Sequence, residues 1–247
     1  MKVTFLGTNG WYDNRAGNTI CTLIDSSEGY IVLDAGNGIH KLDRYITKDK
    51  PAYLFLSHFH LDHIEGLHTL VRLNFPEGLR VFGQIGTKKA LLDILRQPYT
   101  VPVGDLPFNV VITELPEGRG RAPFLEDFRP LVHAAPCLGF RFRLGGRTVA
   151  YCTDTGLCDG LFELGKDADL LITECSAISG QRRGSWPHLS PDDVVVVARE
   201  TGAKKVMLVH FNASLYPTVE SRMEVQARVS RLSDNITVAF DDTVLEL

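Results

Sequence analysis

Between Ser57 and Gly66 the chain reads Ser-His-Phe-His-Leu-Asp-His-Ile-Glu-Gly, so His58, His60, Asp62 and His63 crowd three imidazoles and a carboxylate into six positions. Directly before them runs Ala52-Tyr53-Leu54-Phe55-Leu56, an apolar stretch with the length and composition of a buried strand. A hydrophobic core has no use for so many titratable groups at a strand's exit. Neutral imidazole nitrogen and carboxylate oxygen are the donors that suit Zn²⁺, Mn²⁺ or Fe. In extended chain, residues two apart face the same way, so His58 and His60 address one ion. Asp62 and His63, on the turn that follows, are placed for a second.

At 247 residues and 44% hydrophobic content the chain can bury a full core, and one domain spanning 1–247 is expected. No apolar run approaches the roughly 20 residues a membrane span requires. Met1-Lys2 leads straight into Val3-Thr4-Phe5-Leu6 without a signal-peptide pattern, so a cytoplasmic protein with no membrane partner is expected. Cys21, Cys137, Cys152, Cys158 and Cys175 are odd in number and contain no C-x-x-C pair, which reads as reduced thiols rather than a disulfide framework or zinc ribbon. The formal net charge of −4 offers no basic footprint for nucleic acid.

Alternation, turn residues and caps set out the elements. Strands are expected over 3–6, 19–24, 30–33, 53–56, 79–82, 110–115, 128–134 and 170–173, with a hairpin pairing 139–144 and 148–152 around Gly145-Gly146. Helices are expected near 39–46, behind the metal loop at Ile64, Leu67, Leu70 and Val71, and over 87–95 and 219–232. Ser190-Pro191-Asp192-Asp193 has an N-cap serine, a first-turn proline and an acid at the third position, which starts a helix running to about Glu200 before Gly202. A strand over 205–209 then presents His210, and two strands close the chain. The triple-proline segment 97–107 resists regular structure and could border the site. Strand-rich halves with intervening helices fit two sheets face to face with helices outside, an αββα sandwich of the α/β (α+β) class.

The spacing His58-x-His60-x-Asp62-His63 resembles the signature of the metallo-β-lactamase superfamily, and the resemblance implies the same four-layer αββα sandwich. It also implies further donors at later strand ends, and His133, Asp154 and His210 stand at such places over most of the chain's length. By that likeness His58, His60 and His133 hold one divalent ion, Asp62, His63 and His210 the other, and Asp154 bridges them. Asp34 would support the site through hydrogen bonds rather than bind metal. His40 and His68 read as ordinary surface or capping residues.

Phe5-Leu6-Gly7-Thr8, Cys152-Thr153-Asp154-Thr155-Gly156 and Trp186-Pro187-His188-Leu189-Ser190 are similar to the RNase Z branch of that superfamily. That likeness implies hydrolysis of a phosphodiester by a hydroxide shared between two metal ions, zinc first and manganese or iron as alternatives. His188 would be the general acid and Glu174 its support; with Asp62 they are the catalytic candidates. RNase Z enzymes carry a long tRNA-gripping arm between the histidine and the bridging aspartate. Here His133 and Asp154 are only 21 positions apart, enough for the hairpin alone. A small cyclic or nucleotide phosphodiester is therefore the expected partner, with nucleic acid less favoured; Arg182, Arg183 and Trp186 are candidates to contact it. An RNase Z-type tRNA 3′-endonuclease or a lactonase on the same fold is the alternative activity, and a sensor that has kept the fold is the non-enzymatic one. The resemblance also implies a homodimer.

Overall fold

The computed structural model describes residues 1–180 and 186–247. Strands β1 (Lys2–Gly7), β2 (Asn9–Gly10), β3 (Cys21–Asp25), β4 (Tyr30–Leu33) and β5 (Ala52–Phe55) lead into the single-turn helix α1 (Leu61–Ile64). Then come β6 (Leu79–Gly83), α2 (Thr87–Ile94), β7 (Val110–Glu114), β8 (Leu125–Leu131), β9 (Cys137–Leu144), β10 (Arg147–Cys152), α3 (Asp159–Gly165) and β11 (Leu170–Glu174). The chain closes with α4 (Pro191–Thr201), β12 (Val206–Val209), β13 (Phe211–Asn212), α5 (Val219–Val229), β14 (Ile236–Val238) and β15 (Thr243–Glu246).

Among the described residues, one sheet has the order β15-β1-β3-β4-β5-β6-β7 and the other β14-β12-β11-β10-β9-β8, while β2 and β13 form a short parallel pair of their own. Side-chain alternation shows how the sheets are buried. Ile31 and Leu33 of β4 and Phe55 of β5 face Phe140, Phe142, Tyr151 and Ile172 of the second sheet in one shared core. The residues between them, Tyr30, Val32 and Leu54, face the other way into a layer built on Ile39, Leu42, Leu67 and Leu91. Ala150, Leu171 and Leu208 likewise turn outward against Leu161, Val194, Val197 and Val225 of α3, α4 and α5. The result is the expected αββα sandwich. Phe55 anchors the centre, its ring 4.9 Å from both Phe82 and Phe142 and 5.4 Å from Phe140.

Some elements differ from expectation for visible reasons. The segments Asn37–Arg44 and Glu65–Arg72 are 3-10 rather than α. Their buried pairs Ile39/Leu42 and Leu67/Leu70 are three apart, a spacing that aligns best at three residues per turn. Strand β8 spans 125–131 instead of 128–134, and carries Pro130 because it is an edge strand with one unpaired side. Helix α3 went unread because Asp159-Gly160 looks like a turn. Segment 97–107 packs Val103 and Leu106 onto the outer layer of the first sheet.

Helix α4 has the cap its sequence announced. Ser190 Oγ accepts from the Asp193 N–H, the Asp193 carboxylate accepts from the Ser190 N–H at 2.8 Å, and Gly202 closes the helix at φ 63°. Ser190→Ala should lower folding stability by about 1 kcal/mol, read as a shift in denaturant midpoint with an unchanged slope.

Candidate metal centre

Two parallel runs, β4-β5-β6 and β10-β11-β12, bring their carboxyl ends to one edge of the sandwich. Asp34 follows β4, Ser57 and His58 follow β5, Asp154 lies just beyond β10, Glu174 ends β11, and His210 follows β12. Asp34, Asp154 and His210 have φ of 56°, 50° and 52°. This left-handed turn ends each strand abruptly and stands the side chain on the edge; in non-glycine residues it costs of order 1–3 kcal/mol and persists where the surroundings enforce it.

Six of the eight histidines meet there. In one pocket His60 Nδ1 is 3.0 Å from His58 Nε2 and 3.2 Å from His133 Nε2. Asp154 Oδ2 lies 3.7 and 3.6 Å from the same two Nε2 atoms. In the neighbouring pocket His63 Nε2 and His210 Nε2 are 3.1 Å apart, and Asp62 Oδ2 is 3.2 Å from His210 Nε2 and 3.8 Å from His63 Nε2. Asp154 Oδ1 completes this pocket at 3.2 and 3.1 Å. One carboxylate thus serves both pockets, an oxygen to each.

The hydrogen bonds behind the rings test whether these pockets suit cations. Asp34 accepts from the Ser57 N–H at 2.7 Å, the Ser57 hydroxyl at 2.8 Å, the Tyr151 hydroxyl at 2.7 Å and His63 Nδ1–H at 2.9 Å. Because the Ser57 hydroxyl proton points to Asp34, its oxygen accepts from His58 Nδ1–H at 3.0 Å. Ser176 repeats the arrangement, donating to the His210 carbonyl and accepting from His210 Nδ1–H at 2.9 Å. His58, His63 and His210 are therefore held as Nδ1–H tautomers with Nε2 turned into the pockets. A neutral Nε2 of this tautomer carries a lone pair, and a zinc–nitrogen bond of about 2.0–2.1 Å sets tetrahedral donors roughly 3.3 Å apart. The observed separations are those of donors around an ion, so the residues fit two divalent cations.

Charge states agree at the first pocket, while at the second His63 must give up a proton before its Nε2 can serve a cation. Burial, with His63 next, holds His58 well below the ordinary imidazole range, and burial pushes His133 down to about 4. Burial opposes protonation of His63 too, but Asp154, Asp34 and Asp62 outweigh it and keep this ring protonated well above the ordinary range. Asp154 is buried as well, yet His210 and His63 hold its carboxyl well below the usual carboxylate range. A cation entering the second pocket displaces the His63 proton. Loading with Zn²⁺ near neutral pH should therefore release at least one proton per chain, and affinity should rise with pH. Titration calorimetry in two buffers of different ionisation enthalpy checks this; a heat independent of buffer would contradict it.

Beside the pockets, Glu174 is fully buried and accepts backbone N–H bonds from Thr155, Ser176 and Leu189 at 2.6–3.2 Å. It also receives His188 Nδ1–H at 2.8 Å, and a ring nitrogen of His188 comes within 4.8 Å of donor atoms of Asp154 and His210. Burial opposes the His188 charge, but the Glu174 carboxylate prevails and raises this imidazole to about 9. The Trp186 ring lies 5.7 Å from that of His60 and 6.0 Å from that of His133. Arg182 and Arg183 fall outside the described residues. His40 and His68 bond carbonyls of their own turns, Asn37 and Glu65.

The sequence reading missed several supports. Ser57 and Ser176 orient candidate donors and Tyr151 bonds Asp34, but all three are common residue types with no local signature. Gly10 passes so close to His210 that a Cβ would come within 2.5 Å of the ring, a contact made by the β2–β13 pairing. Trp11 donates its N–H to Asp62 Oδ2 at 2.6 Å from a left-handed φ of 77°.

The family description "Beta-lactamase superfamily domain" matches residues 30–211. The "Probable metallo-hydrolase YhfI" of Bacillus subtilis is 28% identical over 85% of this chain and 86% of its own length. Its crystal structure covers 99% of this chain and 98% of its own at a TM-score of 0.76, with 21% identity in that comparison. "Ribonuclease Z" of Methanosarcina acetivorans is 24% identical over all of this chain and 98% of its own. Human tRNase Z, short form, covers all of this chain and 99% of its own at a TM-score of 0.74 and 22% identity. With two sheets meeting at an edge that gathers histidines and aspartates into clusters able to hold metal, the chain belongs to the metallo-β-lactamase superfamily and is a metal-dependent hydrolase.

Proposed function

We propose that this protein is a dinuclear metallo-phosphodiesterase acting on a small cyclic or nucleotide phosphodiester, with zinc as its resident metal. The observation that carries the reading is the Glu174–His188 pair, a proton donor fixed beside the two pockets. Two divalent cations there would lower the pKa of a water and clamp the oxygens of an ester during attack. His58, His60 and His133 would hold the first cation, Asp62, His63 and His210 the second, with Asp154 serving both. What remains for the chain is the leaving group, because an alkoxide departing from phosphorus needs a proton. His188 keeps one at neutral pH through Glu174, which also fixes its Nδ1 and leaves Nε2 to meet the departing oxygen. Asp62 is tied to the Trp11 N–H, which fixes the carboxylate's direction at the mouth.

The short hairpin supports a small substrate. Between His133 and Asp154 the chain holds little more than β9 and β10. The alignment with the archaeal ribonuclease Z spans 312 positions against 247 here, so at least 65 positions there face no residue of this chain. A compact substrate is favoured over a long tRNA.

The test is turnover by zinc-loaded protein of bis-p-nitrophenyl phosphate, a 3′-extended tRNA precursor and an acyl homoserine lactone. Cleavage of the phosphodiester supports the reading. Preference for the tRNA would move it to the endonuclease, preference for the lactone to a lactonase, and no ester hydrolysis with two ions bound would overturn it.

A further inference from the structure

We infer that Trp11 and Trp186 are paired stacking platforms beside the two cation pockets and that the substrate carries a nucleobase next to its phosphodiester, a specificity resting on the phosphodiesterase reading above. These are the two tryptophans of the chain; the Trp186 ring lies against His60 of the first pocket, and the Trp11 backbone is bonded to Asp62 of the second. Trp186 tilts by 39° over His60 at 5.7 Å, on the side of the first pocket, and is 55% exposed. Trp11 is bonded through its backbone to Asp62 of the second pocket, and its indole is 65% exposed. That indole meets the Tyr12 ring edge-on at 5.2 Å, leaving flat apolar surface in water.

Several features hold Trp11 where it is. It follows Gly10, which is pressed against His210 and paired with Asn212, and it takes a backbone conformation that a bulky residue rarely adopts. Small polar residues are the usual occupants of such a turn. A large exposed ring held there contributes little to the core, but a base stacked on it would be recognised without a basic patch. With cations in both pockets to attract the phosphate, and a net charge of −4 that offers no basic patch beside them, recognition of the base falls to stacking.

Because the chain has two tryptophans, indole fluorescence reports on both proposed platforms and on nothing else. Adenosine 5′-monophosphate added to zinc-loaded protein is expected to change the emission saturably, whereas ribose 5-phosphate, which has the phosphate without the base, is not. In turnover, thymidine 5′-p-nitrophenyl phosphate and methyl p-nitrophenyl phosphate share a leaving group and differ in the nucleoside, so the effect of a tryptophan substitution on their ratio reads the contact with that nucleoside. Trp11→Ala should lower the thymidine-to-methyl ratio of kcat/KM by about tenfold, and Trp11→Phe should recover most of it, as a merely structural role would not.

Equal responses to the two monophosphates, or an unchanged ratio in Trp11→Ala, would overturn the proposal. Emission that follows protein concentration and ignores nucleotide would overturn it too, in favour of a second copy covering the rings. If the base-dependent signal appears while neither ester is cleaved, the platforms stand and the phosphodiesterase reading falls.

Discussion

His188→Ala is expected to lower turnover of an alkyl phosphodiester by about 10²–10⁴-fold while the bound metal stays at its wild-type level. The side chain lies beside the pockets but is held by Glu174, so removing it leaves both donor sets in place. The loss should shrink with p-nitrophenyl esters, because that leaving group departs without needing a proton. Sign and pH follow from the raised pKa of about 9: the imidazole is protonated below it, so activity that needs its proton fades as pH rises through it. Glu174→Gln removes the charge that raises this value, so the basic limb of the kcat profile should move to lower pH. Parallel loss of metal and activity in His188→Ala would make His188 a ligand. An equal loss for good and poor leaving groups would remove it from proton transfer.

Asp154→Asn should be the more damaging substitution. It keeps the shape of the side chain but removes the charge that sits 3.1–3.7 Å from four imidazole nitrogens in two pockets. The first pocket is left with neutral imidazoles and the second with Asp62 as its only carboxylate. Affinity for both ions should fall by more than the roughly 10–100-fold that loss of an outer hydrogen-bond partner costs, and turnover should fall below that of His188→Ala. Asp154 is also the main charge keeping His63 protonated, so the proton released on metal loading should diminish in this variant. Two equivalents of zinc retained by Asp154→Asn, measured by elemental analysis after dialysis, would show that the carboxylate does not bridge.

The candidate donors were legible because residue types that suit a metal are uncommon in such density, and most of these follow apolar strands. Asp62 and His63 adjoin His58 in sequence, and Asp154 and His210 each end an obvious buried run. Asp34 was legible as a support though not in detail, since Tyr151, which shares its carboxylate, is 117 positions away. Ser176 faces His210 across 34 positions and Trp11 faces Asp62 across 51. Such roles arise only when the chain closes on itself, and nothing local marks a serine or a backbone N–H for them. The layered fold was readable from strand-rich halves with helices between them and from the family likeness, since central strands such as β4, β11 and β12 are buried on both faces and read as apolar runs. The 3-10 segments were not separable from α-helix, since apolar residues three apart satisfy either period.

The ribbon formed by β2 and β13 joins Gly10 to the His210 segment, and the next residue, Trp11, is latched to Asp62. A displacement of this ribbon would therefore disturb the contacts of two candidate donors, His210 and Asp62, together. Thermodynamic reciprocity then requires that a ligand tightening the ribbon favour cation capture by the same factor by which the cation favours the ligand.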